Sequence, residues 1–177
     1  MAITLSFSWW LGEYMEFDTI DWHFYAGYLM LGLVGFRLLW GFLGPSPVRF
    51  KTLLMSPADI FSYLKIMNRR EPSGTPGHNP VGSISVLLMI VFISAQAVTG
   101  LFIESDDFYE SAPLASYVSD ETIGWLTWWH HLNAKIILVL VALHVGAVLF
   151  YLIWKKENLI KPMFTGWKWV KVKKNDA

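Results

Sequence analysis

The chain has 177 residues, of which 54% are hydrophobic and only 16% are charged. A soluble domain of this size cannot bury so much apolar surface, so the composition predicts a single domain embedded in a membrane. The net charge is zero, which gives no electrostatic reason to expect a nucleic-acid partner. The lack of cysteine excludes disulfides, thiolate metal sites, iron–sulfur clusters and covalently attached haem.

The chain begins with a short apolar segment, residues 1–15. Its first twelve residues would form a helix of about 18 Å, roughly half the length needed to cross a bilayer. The segment has neither the basic start nor the small-residue cleavage site of a signal peptide. We therefore expect either an interfacial segment or a partial first helix whose beginning lies upstream.

Three later stretches are long enough to cross a membrane, which takes about 20 apolar residues. They are residues 24–43, 81–103 and 132–154. Their length and their glycine and leucine content favour helices over buried strands, so the predicted fold class is an all-α transmembrane helical bundle. In the proline-containing loop 44–80 we predict one short helix near residues 57–68, capped by Ser56.

Charges are segregated between the segments that flank these spans. The loop 44–80 and the tail 155–177 are basic: they carry Arg49, Lys51, Lys65, Arg69 and Arg70, and Lys155, Lys156, Lys161, Lys168, Lys171, Lys173 and Lys174. The other two segments contain only acidic charges: Glu13, Glu16, Asp18 and Asp21, and Glu104, Asp106, Asp107, Glu110, Asp120 and Glu121. Because basic segments stay in the cytoplasm, we expect an outer N-terminus, three membrane crossings and a cytoplasmic C-terminus.

Histidines at membrane depth are the main candidates for a functional site, because polar groups within a span are costly. His130 and His144 are fourteen residues apart, so they lie on nearly the same face of one helix, separated in depth by about 21 Å. This spacing is typical of one helix that supplies a ligand to each of two stacked haems. His131 points well away from that face and is the poorer candidate, unless the helix begins irregularly.

The first and third spans both run inward, and each begins near a histidine. His23 and His130 should therefore lie at matching depth, with imidazoles able to meet across a bundle. Such a pair in apolar surroundings favours a six-coordinate electron-transfer haem. A zinc site, the alternative, would usually recruit a further close ligand and keep an open position.

The sequence leaves the functional roles of three more polar residues undecided. Arg37 lies fourteen residues beyond His23 and should reach the depth of His144, either to pair a haem propionate or to snorkel to headgroups. Lys135 could contact a propionate or a quinone, or could also snorkel. His78 precedes the second span. It could cap the entry to that helix or contact a propionate or a quinol; a role as haem ligand is less favoured.

Several sequence motifs resemble those of the bacterial cytochrome b561 family, which includes the b-type subunits of nickel–iron hydrogenases. They are HFYAGYLMLGLVGFRLLWGFLGP, GHNPVG, VTGLFIESDD, HHLNAKIILVLVALHVGAV and KKENLI, in that order over almost the whole chain. The resemblance implies a four-helix bundle with two b haems. His23 and His130 would hold the outer haem, and His144 would serve the inner one.

This chain departs from the family pattern because no histidine precedes His23, where the inner haem's other ligand is expected. We expect that a longer reading frame supplies it, although a truncated chain or an altered inner site would also explain the gap.

The expected function is membrane electron transfer through haem b, from quinol or a dehydrogenase to a c-type cytochrome or an oxidoreductase subunit. The alternatives are a non-redox membrane anchor subunit and a metal-ion transporter that uses His23, His130 and His131.

Overall fold

The computed structural model describes residues 1–72, 77–105 and 110–166. Asp106, Asp107, Lys168, Lys171, Lys173 and Lys174, which contribute to the predicted charge pattern, lie outside the described residues. The described part is mostly helical, so the predicted all-α class is confirmed.

Seven α-helices and one small β-ribbon make up the described residues. The helices are α1 (Ala2–Glu13), α2 (Ile20–Leu43), α3 (Phe50–Leu53), α4 (Pro57–Ile66), α5 (Pro80–Thr99), α6 (Asp120–Ile153) and α7 (Ile160–Thr165). Two 3-10 turns, Ser46–Val48 and Ala115–Tyr117, and the strands β1 (Glu104–Ser105) and β2 (Glu110–Ser111) complete the order. The strands pair antiparallel, with Glu104 opposite Ser111.

Three of the described helices, α2, α5 and α6, are long and apolar enough to cross a membrane. They correspond to the three predicted spans, but their ends differ from the prediction. The second span was expected to continue to Ile103, whereas α5 ends at Thr99. Beyond Gly100 the backbone turns, and the carbonyls of Leu101 and Ile103 accept hydrogen bonds from Leu114 and Ala112 instead of continuing the helix.

The third span was predicted from Leu132, but α6 already begins at Asp120. The hydroxyl of Ser119 lies 3.4 Å from the backbone nitrogen of Thr122 at the helix start. Asp120 and Glu121 follow in the first turn, where negative charge is favoured by the helix dipole. His130 and His131 therefore both lie well inside a regular helix, which removes the irregular start that would have favoured His131.

The chain divides into two compact units. The first contains Met1–Trp40 and Met89–Val139. Its buried apolar side chains come from α1, α2, α5, the segment after the ribbon and α6: Leu11, Ile20, Ala26, Met30, Val34, Ile93, Ala112, Ala115 and Ile137. That the whole chain forms a single cytochrome domain stays a prediction.

The second unit contains Gly41–Leu88 and Leu140–Ala177. Here the predicted short loop helix is confirmed as α4, and its Ser56 cap forms a capping box with Asp59. The Tyr63 hydroxyl on α4 is hydrogen-bonded to the Tyr151 hydroxyl on α6. Further along, the indole of Trp154 donates to the carbonyl of Asn68 at 3.1 Å.

Candidate functional site

Two imidazoles face each other in the first unit. His23 lies in the first turn of α2, and His130 lies within α6. Their ring centroids are 6.4 Å apart and their planes are inclined by 72°. Both side chains are half-buried. The structure thus brings together the two histidines that the sequence places at matching depth.

The His23 ring is held by the first helix. Its Nδ1 lies 3.0 Å from the backbone carbonyl oxygen of Ser8. A carbonyl oxygen can only accept, so Nδ1 carries a proton and donates it; in the neutral ring, Nε2 is then the unprotonated nitrogen. Gly12 lies one turn after Ser8, and a Cβ there would come within 3.2 Å of His23 Cε1. The half-length apolar segment therefore has a defined contact with the site, which sequence reasoning missed.

The His130 ring is held by the end of α5. Its Nδ1 lies 3.0 Å from Thr99 Oγ1. A Cβ on the next residue, Gly100, would come within 3.1 Å of His130 Cε1. Hydroxyl and glycine together therefore define where this ring lies. Sequence reasoning did not single out either residue, although the VTG motif contains both.

A cavity opens between the elements that carry these rings. Both histidines line it. Most of the other lining residues are apolar or glycine, including Leu5, Phe24, Gly27, Met30 and Ile93. The cavity therefore has the mainly apolar lining that is usual for small-molecule and cofactor sites.

A buried amide network lies one turn below His130. Asn133 is almost fully buried, and its Nδ2 donates to the Phe92 carbonyl at 2.8 Å and to Gln96 Oε1 at 2.7 Å. These bonds join α5 to α6 within the first unit, next to the cavity that Gln96 lines. The signal in the sequence was an asparagine at membrane depth, three residues after His130.

The other predicted site residues lie elsewhere. His131 is exposed and does not line the cavity; its ring centroid is 6.4 Å from that of His130. Lys135 is exposed on α6, Arg37 is half-buried on α2, and His78 is exposed just before α5. His144 belongs to the second unit, where its Nδ1 lies 3.4 Å from Ser85 Oγ.

The spacing of the two rings would allow His23 and His130 to hold one metal ion between them. A metal–imidazole distance of about 2 Å on each side would put the two ring centroids roughly 6 Å apart, close to the observed spacing. Each Nδ1 already has a partner, so each Nε2 is available as a ligand. Among residues 1–72, 77–105 and 110–166, no group of three histidine, cysteine or acidic side chains could hold a metal ion, so this part of the chain offers no zinc-type ligand set. A b haem, whose porphyrin supplies the other four ligands, suits two imidazoles beside an apolar cavity.

Comparison with known proteins identifies a family. The family model described as prokaryotic cytochrome b561 matches residues 1–166. No curated protein and no solved structure matches the chain. Taken with the three helices able to span a membrane, the match confirms the resemblance seen in the sequence motifs. The chain is a multi-pass bacterial membrane protein that belongs to the prokaryotic cytochrome b561 family, a family of membrane electron-transfer proteins with b-type haem.

Proposed function

We propose that this protein transfers electrons through a b haem whose iron is held between Nε2 of His23 and Nε2 of His130. The observation that carries the proposal is the facing pair of rings, 6.4 Å between centroids, with both Nδ1 atoms within hydrogen-bond distance of groups outside the pair. When bound, haem b supplies a one-electron iron couple, and two axial imidazoles suit electron transfer rather than ligand activation.

The chain's own residues give this site its rigidity. The Ser8 carbonyl and the Thr99 hydroxyl fix the tautomer and the rotation of the two imidazoles. The bonds from Asn133 to the Phe92 carbonyl and to the Gln96 side chain hold α5 and α6 together beside the cavity. The mostly apolar lining offers water few hydrogen-bonding partners. A site whose groups already lie in place needs little rearrangement when its charge changes by one.

His144 is proposed as a ligand of a second haem. Its ring is half-buried on α6, and Ser85 lies close to its Nδ1. Arg37 is proposed to pair with a haem propionate, because a guanidinium within a span needs an anionic partner and can bind a carboxylate with two parallel hydrogen bonds. His78 and Lys135 are proposed only as propionate or quinone contacts.

Quinol is the proposed electron donor, and a c-type cytochrome or an oxidoreductase subunit is the proposed acceptor. Residues 1–22 and 104–129 contain acids and no lysine or arginine, and they include exposed Glu104, Glu110 and Asp120. A negative outer surface would favour the approach of a basic partner. Residues 44–80 and 155–177 are correspondingly proposed to lie in the cytoplasm.

The test is a reduced-minus-oxidised absorption spectrum with haem quantitation on the purified protein and three variants. His23→Ala and His130→Ala should each abolish the low-spin signal of the outer haem. His131→Ala should leave it unchanged, because its exposed ring does not line the cavity. A wild-type protein without Soret absorption would refute the proposal and support a non-redox anchor, or a metal transporter if metal uptake persisted. Loss of the signal in His131→Ala alone would show that His131, and not His130, is the haem ligand.

A further inference from the structure

Thr99, the last residue of α5, contacts His130 through its hydroxyl group. Thr99 Oγ1 lies 2.8 Å from the carbonyl oxygen of Ala95, 3.1 Å from that of Gln96 and 3.0 Å from His130 Nδ1. Carbonyl oxygens can only accept, so the single hydroxyl proton points to the backbone of α5. The remaining partner, His130 Nδ1, must then donate to Oγ1. One hydroxyl thus joins the end of α5 to the ring on α6.

The two imidazoles consequently have different acceptors. His23 donates to a peptide carbonyl within α1, which no side-chain substitution can remove. His130, besides a hydrogen bond with the Gln96 backbone, contacts a side-chain hydroxyl that is itself polarised by its bond to carbonyls in the last turn of α5. The last carbonyls of a helix form the negative end of its dipole. The negative C-terminal end of α5 therefore acts on the His130 ring through the polarised Thr99 hydroxyl.

We propose that Thr99 is a positioning residue that sets the tautomer, the ring orientation and the basicity of His130, and thereby lowers the midpoint potential of the metal centre. The inference rests on the proposed function, in which His130 is an axial ligand. An acceptor at Nδ1 makes an imidazole a stronger donor to metal through its other nitrogen. A stronger donor stabilises the oxidised, more positively charged iron more than the reduced iron.

The experiment compares Thr99→Val, Thr99→Ser and Ser94→Ala in the full-length chain. Valine keeps the shape of threonine without an acceptor, and serine keeps the hydroxyl. Ser94 lies on the same helix, its hydroxyl donates to the Ile90 carbonyl at 2.6 Å, and it is not among the residues that line the cavity. Ser94→Ala therefore removes a similar helix-bonded hydroxyl away from the site.

Three readouts distinguish positioning from a general structural effect: haem content, the low-spin electron paramagnetic resonance spectrum and the midpoint potential from a redox titration. In Thr99→Val the ratio of ferric to ferrous binding constants should fall by about threefold to tenfold. A tenfold fall corresponds to an upward shift of about 59 mV for a one-electron couple. The g values should change as well. Thr99→Ser and Ser94→Ala should match the wild type in all three readouts.

The outcomes separate this inference from the proposal on which it rests. A wild type without haem, or a His130→Ala variant that keeps the outer haem, would refute the ligand assignment itself. If both behave as expected but Thr99→Val keeps the wild-type potential and g values, only the role of Thr99 is refuted. An equal shift in Ser94→Ala would also refute it. If Thr99→Val does not accumulate, Thr99→Ala replaces it with the same expected upward shift.

Discussion

Two glycines lie where the candidate ligand rings approach a helix backbone. A Cβ at Gly12 would lie 3.2 Å from His23 Cε1, and one at Gly100 would lie 3.1 Å from His130 Cε1. The second position is the tighter, because the added carbon would also lie 3.4 Å from the Gln96 carbonyl oxygen, which belongs to the backbone of α5. A methyl group added at position 100 could therefore be accommodated only if the His130 ring moved.

We predict that Gly100→Ala weakens haem binding. The added methyl group should displace the His130 ring by a few tenths of an ångström and strain its bond to Thr99, at a cost of about 1–3 kcal/mol typical of overpacking. The measurement is the haem-to-protein ratio after purification in detergent, which should fall several-fold, together with the low-spin spectrum.

Gly124→Ala is the matched control for this substitution. Gly124 lies in α6, and a Cβ there would meet nothing within 4 Å. The control should keep full haem content, and its helix should gain up to about 1 kcal/mol from the replacement of glycine by alanine. Equal haem content in both variants would contradict the steric argument.

Part of this residue-scale picture could be predicted from the sequence. Helix periodicity and span direction placed His23 and His130 at one depth, because rise per residue is fixed within a helix. The partners of their Nδ1 atoms could not be predicted. Ser8 contributes a backbone carbonyl, which every residue has, and Thr99 is one of many hydroxyl residues whose contact depends on how α5 packs against α6.

Among the elements, α4 is fixed to the end of α6 by a group of contacts that we term the α4–α6 clamp. It consists of the Tyr63–Tyr151 hydrogen bond, the bond from Trp154 to the Asn68 carbonyl, and the bonds from Lys155 Nζ to the carbonyls of Arg69 and Glu71 at 3.0 and 3.1 Å. Lys155 is 3% exposed, so its ammonium group depends on these carbonyls for hydrogen bonds. The clamp therefore holds part of the long loop against the last span.

We predict that Tyr63→Phe loosens the clamp. The substitution removes one hydroxyl and leaves that of Tyr151, which is buried, without this partner. The expected cost is about 1–3 kcal/mol, the penalty for an unsatisfied buried polar group. Thermal unfolding in detergent and limited proteolysis of the 44–80 loop would measure the loss. Tyr117→Phe is the control, since Tyr117 is 80% exposed, and a similar loss there would contradict the assignment.

The contribution of the Tyr63–Tyr151 hydrogen bond to the stability of the fold depends on pH. Burial raises the pKa of Tyr63 above its ordinary value of 10.0; the Glu157 charge adds to the rise, and the bond with Tyr151 opposes it. A raised pKa in the folded state means that Tyr63 stabilises the fold fully below pH 10.0, and that this contribution is lost as the pH rises through the folded-state pKa. The stability difference between wild type and Tyr63→Phe should therefore shrink above pH 10.0. A constant difference would contradict this explanation.

Hydropathy predicted the existence of the three long helices better than their ends. Apolar length is a property of the sequence, whereas the ends depend on local hydrogen bonds. Polar residues before Leu132 concealed the start of α6, which the acidic first turn at Asp120 defines. The apolar residues after Thr99 concealed the end of α5, where Leu101 and Ile103 instead pair with the segment that follows the ribbon.

At the scale of the whole molecule, charge distribution along the chain predicts its orientation. The acidic segments and the basic segments alternate between successive spans, so every connecting segment indicates the same topology. This argument depends on sequence alone and is independent of the paired imidazoles. The orientation can therefore be tested without reference to haem.

We predict that Ser116→Cys reacts with a membrane-impermeant maleimide added to intact spheroplasts and that Ser62→Cys does not. The chain has no cysteine, so each variant carries a single thiol. Both serines are exposed: Ser116 lies in the acidic segment before α6, and Ser62 lies on α4 within the basic loop. Labelling of Ser116→Cys should exceed that of Ser62→Cys several-fold, and detergent permeabilisation should make the two equal. Strong labelling of Ser62→Cys in intact spheroplasts would reverse the orientation and place the His23–His130 pair on the cytoplasmic side.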